Sequence, residues 1–192
     1  MSPLTNEARV FLLRLARQAI GARLAGRRAG ELLAETSRAP AAVRERAGVF
    51  VSLHRSGALR GCVGLVESPL PLYRAVMDAA VAAATQDPRF PPLAAAELLE
   101  IELEISVVSQ PQPVTLEKIR IGWHGLIVSQ GRTRGLLLPQ VAVERGWSPE
   151  RFLEETCRKA GLAADAWQRG ARVEAFQAEV FGEKTLAPEL AR

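Results

Sequence analysis

The chain has 192 residues, 48% of them hydrophobic and 24% charged, with a net charge of +4 and two cysteines. A chain of this size can bury a proper core, which excludes a disordered polymer, and two distant cysteines exclude a disulfide scaffold. No run approaches the roughly 18 apolar residues that a bilayer-spanning helix needs, and with no CxxC or HxxxH spacing no structural zinc site is expected, which leaves open a site of histidine and carboxylates from distant segments.

Residues from about Thr5 to Leu24 read as an amphipathic helix, with Thr5 or Asn6 as its cap and Gly26 beyond its end. A second helical piece is expected at about Ala29 to Glu35. Pro40 then leads into a strand from Val49 to Arg55, a turn at Ser56-Gly57 and a returning strand from Leu59 to Val66. Pro69 and Pro71 open a helix to about Gln86, which Asp87-Pro88 must end, because the residue before a proline is pushed out of helical geometry. Ile101 to Val108 is the cleanest alternation in the chain, with Ile101, Leu103, Ile105 and Val107 on one face. Leu126 to Ser129 and Arg134 to Leu138 form a hairpin. Ser148-Pro149-Glu150 starts a helix that stops at Gly161, and Arg172 to Phe181 offers a last strand. Helices interleaved with hairpin-connected strands predict an α+β fold with a mostly antiparallel sheet.

The start, Met1-Ser2-Pro3-Leu4-Thr5, lacks a signal-peptide profile, so a cytoplasmic protein without membrane association is expected. The early arginines, Arg9, Arg14 and Arg17 among them, read as solvated helix faces. A nucleic-acid surface would want exposed aromatics among its cations, and one tyrosine is a thin supply; nucleic acid stays open as a poorly supported partner.

The segment Leu59-Arg60-Gly61-Cys62-Val63-Gly64 carries the chemistry most worth weighing. Gly61 and Gly64 keep the backbone around a thiol bare. A two- or four-residue turn pairs Val51 with Cys62 and Leu53 with Arg60. Arg60 and Cys62 then share a face roughly 7 Å apart, where the guanidinium favours thiolate by about 2 kcal/mol at an effective dielectric near ~20 and by about 0.6 in water. Val49, Val51 and Leu53 fall on that same face, so a buried, inert thiol fits equally. Cys157 lies on the apolar stripe of its helix and reads as core.

Those segments, Gly48-Val49-Phe50-Val51-Ser52-Leu53 and Leu59-Arg60-Gly61-Cys62-Val63-Gly64, closely resemble the signature of the AMMECR1 domain family. The likeness continues through Asp87-Pro88-Arg89-Phe90, Glu104-Ile105-Ser106-Val107, His124-Gly125-Leu126 and Gly135-Leu136-Leu137-Leu138-Pro139-Gln140. It spans Thr5 to Glu183 as a single domain of two lobes, leaving 184–192 as a tail. One departure is visible: Leu65 stands where the family motif usually carries threonine. The resemblance implies a larger lobe built from both chain ends, a smaller lobe, and a cleft between them near the cysteine motif. It implies Memo-like and radical SAM proteins as pathway partners, and it supplies no reaction and no cofactor.

The other candidates each carry two readings. Asp87 and Arg89 flank a proline, where they can tie down a loop or orient a ligand. Glu102 and Glu104 share a strand face, as solvated charges, as acid–base groups or as metal ligands, with Glu104 favoured because it lies in the family-like segment. Gln140 can close a strand end or face a ligand, and His124 can be a loop histidine or a base. Two functions follow. The first is a cysteine-dependent enzyme with Cys62 as nucleophile, Arg60 activating it or binding an anion, and Glu104 or His124 as base, acting on a small molecule or nucleic acid. The second is a non-catalytic module binding a ligand or protein, in which Gly61, Gly64, Asp87, Arg89, His124 and Gln140 shape the site.

Overall fold

A computed structural model describes residues 3–27, 36–37 and 39–190. In chain order the elements are α1 (Asn6–Leu24), β1 (Gly48–Arg55), β2 (Ala58–Leu65), α2 (Leu72–Thr85), β3 (Ile101–Val108), β4 (Gln112–Pro113), β5 (His124–Gln130), β6 (Thr133–Leu137), α3 (Pro139–Glu144), α4 (Pro149–Lys159), β7 (Arg172–Gly182) and α5 (Ala187–Leu190). The α+β expectation holds, and the named hairpins are antiparallel. The helix expected at Ala29 to Glu35 lies outside the described residues. Among those residues, no helix is long and apolar enough to cross a membrane.

Two compact units divide the chain: one takes residues up to Val108 and from Glu179 onward, the other Ser109–Ala178. In the first unit the strand order is β2-β1-β3, followed by the end of β7. Val49, Val51, Leu53, Leu103, Ile105 and Val107 pack with Leu12, Leu13 and Ile20 of α1 and Leu72, Val76 and Ala80 of α2. Each large aliphatic side chain so buried stabilises the fold by about 1.5–3 kcal/mol. Thr5 caps α1 by accepting a hydrogen bond from the Ala8 amide at 3.3 Å.

Not all of the early arginines are solvated. Arg9 binds Glu179 at 2.9 Å. Arg17 grips Glu183 at 2.6 Å and donates to the carbonyls of Leu98 and Ile101 at 2.6 and 2.8 Å. Arg14 donates to the Leu190 carbonyl at 3.1 Å. Arg14, Arg23 and Arg27 are exposed as expected, and the expectation failed for Arg9 and Arg17 because the acids that they meet lie more than 160 residues away, near the other end of the chain. Periodicity along a helix does not register partners at that separation.

In the second unit, β5 pairs with β6 and β7, and β4 with β7. Leu126, Val128, Phe152, Leu153 and Cys157 form its core, with the Trp147 and Phe152 rings tilted at 6.5 Å. Ser148 caps α4 through the Arg151 amide, with Pro149 in the first turn. The sequence reading ended the strand at Leu138 with Gln140 just beyond it, and the chain turns helical there as α3. Pro139 occupies its first position, where the proline ring already has helical φ and no N–H is needed.

The turn expectation at Ser56-Gly57 is correct, and both residues have positive φ, at 52° and 81°. The register beyond it is not as expected. Arg55 pairs with Ala58 and His54 with Leu59, but Leu53 then pairs with Gly61 and Ser52 with Cys62. A β-bulge leaves Arg60 as an extra residue, and one extra residue moves everything after it to the other face. Gly61 now points at the helices. A Cβ there would collide with the Ala83 carbonyl of α2. We expect Gly61→Ala to destabilise the protein by about 1–3 kcal/mol, the usual cost of overpacking, read as a lower urea midpoint with an unchanged m-value. An unshifted midpoint would mean that α2 can retreat from β2.

Candidate functional site

The bulge places Cys62 on the face of the sheet opposite the core helices. Along β1 that face carries Phe50, Ser52 and His54, and along β3 it carries Glu102, Glu104 and Ser106. Ser52 is the hinge of the arrangement, because it pairs with Cys62 on one side and Glu104 on the other. Cys62, Ser52 and Glu104 therefore form one row across three strands. Directly opposite residues in such a row lie about 5 Å apart at Cβ, so Cys62 and Glu104 are separated by about 10 Å.

Cys62 is half-buried, and the Ser52 hydroxyl donates to its sulfur at 3.3 Å. Glu104 is half-buried, and among the described residues it has no hydrogen bond or ion pair. Glu102, one row along, pairs with Lys184 at 2.8 Å. The buried-thiol reading rested on Val49, Val51 and Leu53 sharing a face with Cys62, and the bulge removes that premise.

Arg60 has other partners. Its guanidinium binds both oxygens of Glu97 at 3.1 Å and the Pro91 carbonyl at 3.0 Å. Arg55 also reaches Glu97, at 3.0 Å. Glu97 is held below the usual carboxylate range, first by Arg60 and then by the Ala94 amide. The expected pairing of Arg60 with the thiol failed for the same reason as the register, since the bulged residue belongs to neither regular face.

The guanidinium that does reach Cys62 is Arg89. Asp87 is 6% exposed and accepts the Cys62 amide at 2.9 Å, while Arg89 donates to the Cys62 carbonyl at 3.1 Å. Asp87 and Arg89 are locked together by two further bonds, Nε to Oδ1 at 2.9 Å and Nη2 to Oδ2 at 2.7 Å. The Arg89 amide also donates to Asp87, at 3.1 Å. This fork does for Cys62 what a neighbouring strand would do, one group accepting its N–H and another donating to its C=O. Asp87 is held far below the ordinary carboxylate range, chiefly by the Arg89 hydrogen bonds and also by the Cys62 amide, with burial opposing them. Arg89 is raised in turn, first by Asp87.

Gly64 sits beneath Phe50, and a Cβ there would collide with the Val49 carbonyl and the Phe50 ring. His124 and Gln140 belong to the second unit. The His124 Nδ1 accepts the Arg120 amide at 3.2 Å, and its pKa is lowered by burial and then by Arg120. Gln140 is half-buried in the first turn of α3. Cys157 is fully buried, and burial pushes its thiol pKa up.

Sequence reasoning missed His54. It lies two residues from Ser52 on the Cys62 face, half-buried and without a hydrogen-bond partner among the described residues. Diagonal neighbours in such a pair are roughly 7 Å apart at Cβ, within reach of an imidazole. The alternation of β1 already grouped His54 with Ser52; only the bulge adds Cys62 to that group.

Comparison with known proteins gives a consistent picture. The AMMECR1 family model matches residues 13–181. A protein of Thermofilum pendens is 44% identical over 96% of this chain and 94% of its own length. Protein MJ0810 of Methanocaldococcus jannaschii is 42% identical over 95% and 94%. The crystal structure of an uncharacterized protein, PH0010 of Pyrococcus horikoshii, is similar at a TM-score of 0.81, with 40% identity and 93% of each chain covered.

The Asp87–Arg89 fork has a pH signature. A folded pKa depressed below the unfolded value of about 3.9 adds stability above that value, and the gain is lost as pH falls through the folded pKa. At neutral pH, Asp87→Asn should cost about 1–3 kcal/mol, the usual cost of weakening hydrogen bonds to a buried acceptor, because the carboxylate is buried while the Arg89 side chain remains exposed. The gap from wild type should close as pH drops below about 4, when urea denaturation is followed across that range. A gap constant down to the lowest accessible pH would show that Asp87 is not ionised in the fold.

Proposed function

The chain belongs to the AMMECR1 family, and from that premise we propose that the Cys62 face of its first unit is a cysteine-dependent active site. The observation that carries this reading is the hydrogen bond from Ser52 to the sulfur of the half-buried Cys62, at one end of a polar row across three strands. A thiol serving only as core packing would sit among apolar neighbours, as Cys157 does in the second unit.

The roles follow from position. Cys62 supplies the nucleophile, and thiolate is the reactive form. Ser52 aims the sulfur. His54 accepts the thiol proton as sulfur attacks an electrophilic carbon, and returns it to the leaving group. Glu104 places a negative charge on the same face, suited to steadying the imidazolium or binding a cationic part of the substrate. Asp87 and Arg89 act as positioning residues that hold the Cys62 peptide from its open side. The substrate class supported is a small molecule with an electrophilic carbon that fits over an open sheet face.

The second function, a non-catalytic module, makes a different forecast for the sulfur. Iodoacetamide alkylation resolved by mass spectrometry should label Cys62 at least tenfold faster than Cys157 in the folded protein. His54→Gln should slow Cys62 labelling several-fold near neutral pH and leave the thermal midpoint within a few degrees of wild type. Equal labelling of the two cysteines would remove the nucleophile and leave the binding module standing. Fast labelling insensitive to His54→Gln would keep Cys62 and discard His54 as its base.

A further inference from the structure

We propose that the free edge of β2 binds an extended peptide of a partner protein, one carrying an apolar residue and a basic residue two positions apart. This edge is separate from the Cys62 face and does not depend on its chemistry.

Three observations converge there. β2 ends the strand order of its unit. Because the Cys62 amide and carbonyl face away from β1 toward Asp87 and Arg89, alternation along an antiparallel strand directs those of Gly64 outward as well. The fork covers Cys62, but among the described residues no group covers Gly64 outside its own strand pair.

The second observation is an apolar cleft of about 360 Å³ beside that edge, lined by Val63, Leu65, Leu70, Ala75, Ala79 and Ala82 among others. Ala75, Ala79 and Ala82 recur every three or four residues, so they form one face of α2. Val63 and Leu65 pair with Val51 and Val49 and point to the helix side of the sheet. That is the core side, yet Leu65 is 62% exposed. α2 overhangs the last strand, and the cleft is the space that the helix-facing side chains of one more strand would fill. Peptides that add a strand to a sheet edge use this pattern, with main-chain bonds for affinity and pockets for alternate side chains.

The third observation fixes the charge. Asp78 is the charged side chain lining the cleft; it is exposed and has no hydrogen bond or ion pair among the described residues. A lysine or arginine on the peptide's helix-facing side complements it. Side chains on one face of a strand are two residues apart, which gives the spacing. The residue between them lies opposite Gly64 and exchanges both backbone bonds with it.

The probe is acetyl-Thr-Phe-Thr-Lys-Thr-amide, titrated into the protein with backbone amide resonances followed by NMR. The expected result is saturable binding with its largest shifts at Gly64 and Leu65, and slowed hydrogen exchange of the Gly64 amide. N-methylation of the central threonine should weaken binding at least tenfold, as should Ala79→Phe, which fills the cleft. Asp78→Asn, an exposed change that leaves the fold intact, should weaken this peptide several-fold but not its Lys→Gln version. No saturable binding at millimolar peptide would overturn the proposal. So would an N-methylated peptide that binds as well as its parent, which would make the cleft a pocket for small apolar molecules. Protection of Gly64 in a protein dimer without peptide would overturn it too, by giving the edge to a second copy of the chain.

Discussion

The extra residue at Arg60 decides which side of β2 meets the helices, and the arrangement of the first unit follows from that decision. Without it, Cys62 would lie beside Val51 and Leu53, and Arg60 would stand near the sulfur. With it, Gly61 is the residue under α2, where only a hydrogen atom fits, and the thiol emerges among Ser52, Glu104 and His54. The two glycines of the motif thus have distinct physical tasks. Gly61 lets a helix backbone approach, and Gly64 lets the Phe50 ring lie across the strand. The bulged arginine is steadied elsewhere, by Glu97 and the Pro91 carbonyl.

The Asp87–Arg89 fork belongs to the same logic. A bulged edge strand is loosely specified, and its outward amides need partners. Asp87 and Arg89 supply one acceptor and one donor to a single residue, with the buried carboxylate satisfied by the amides of Cys62 and Arg89 as well as the guanidinium. Charge-assisted bonds of this kind are shorter and stronger than neutral ones. The proline between the two residues fixes the loop that carries them. The pair therefore sets the position of the backbone that carries the sulfur, and the Arg89 guanidinium also lies within electrostatic reach of the Cys62 side chain.

Much of this was legible in the sequence, and the failures have identifiable causes. The caps at Thr5 and Ser148, the end of α2 before Asp87-Pro88, the alternation of β3 and the turn at Ser56-Gly57 are local signals, and the structure reproduces them. The bulge at Arg60 is not local. It sets Gly61 against the Ala83 carbonyl, an approach across 22 residues that turn geometry cannot foresee. The error then spread by parity: one residue of register reversed the surroundings assigned to Cys62 and hid His54. The Arg9 and Arg17 ion pairs escaped for a related reason, since their partners are at the far end of the chain. Motif resemblance singled out Asp87, Arg89 and Cys62 in separate segments, and the fold alone brings them into one cluster.

Glu179 and Glu183, held by Arg9 and Arg17, have a consequence for how the chain is made. The second unit is one continuous stretch, so all of its residues are available once Ala178 has been synthesised. The first unit is not, because α1 and the edge of β3 wait for residues at the end of the chain, and Glu183 caps the Leu103 amide at 2.8 Å only when it arrives. Closing a contact over such a span is entropically slow compared with local hairpins. On the ribosome the order of completion therefore runs against the order of sequence: the inserted segment is finished first, and the amino-terminal helix spends translation without the two carboxylates that Arg9 and Arg17 bind.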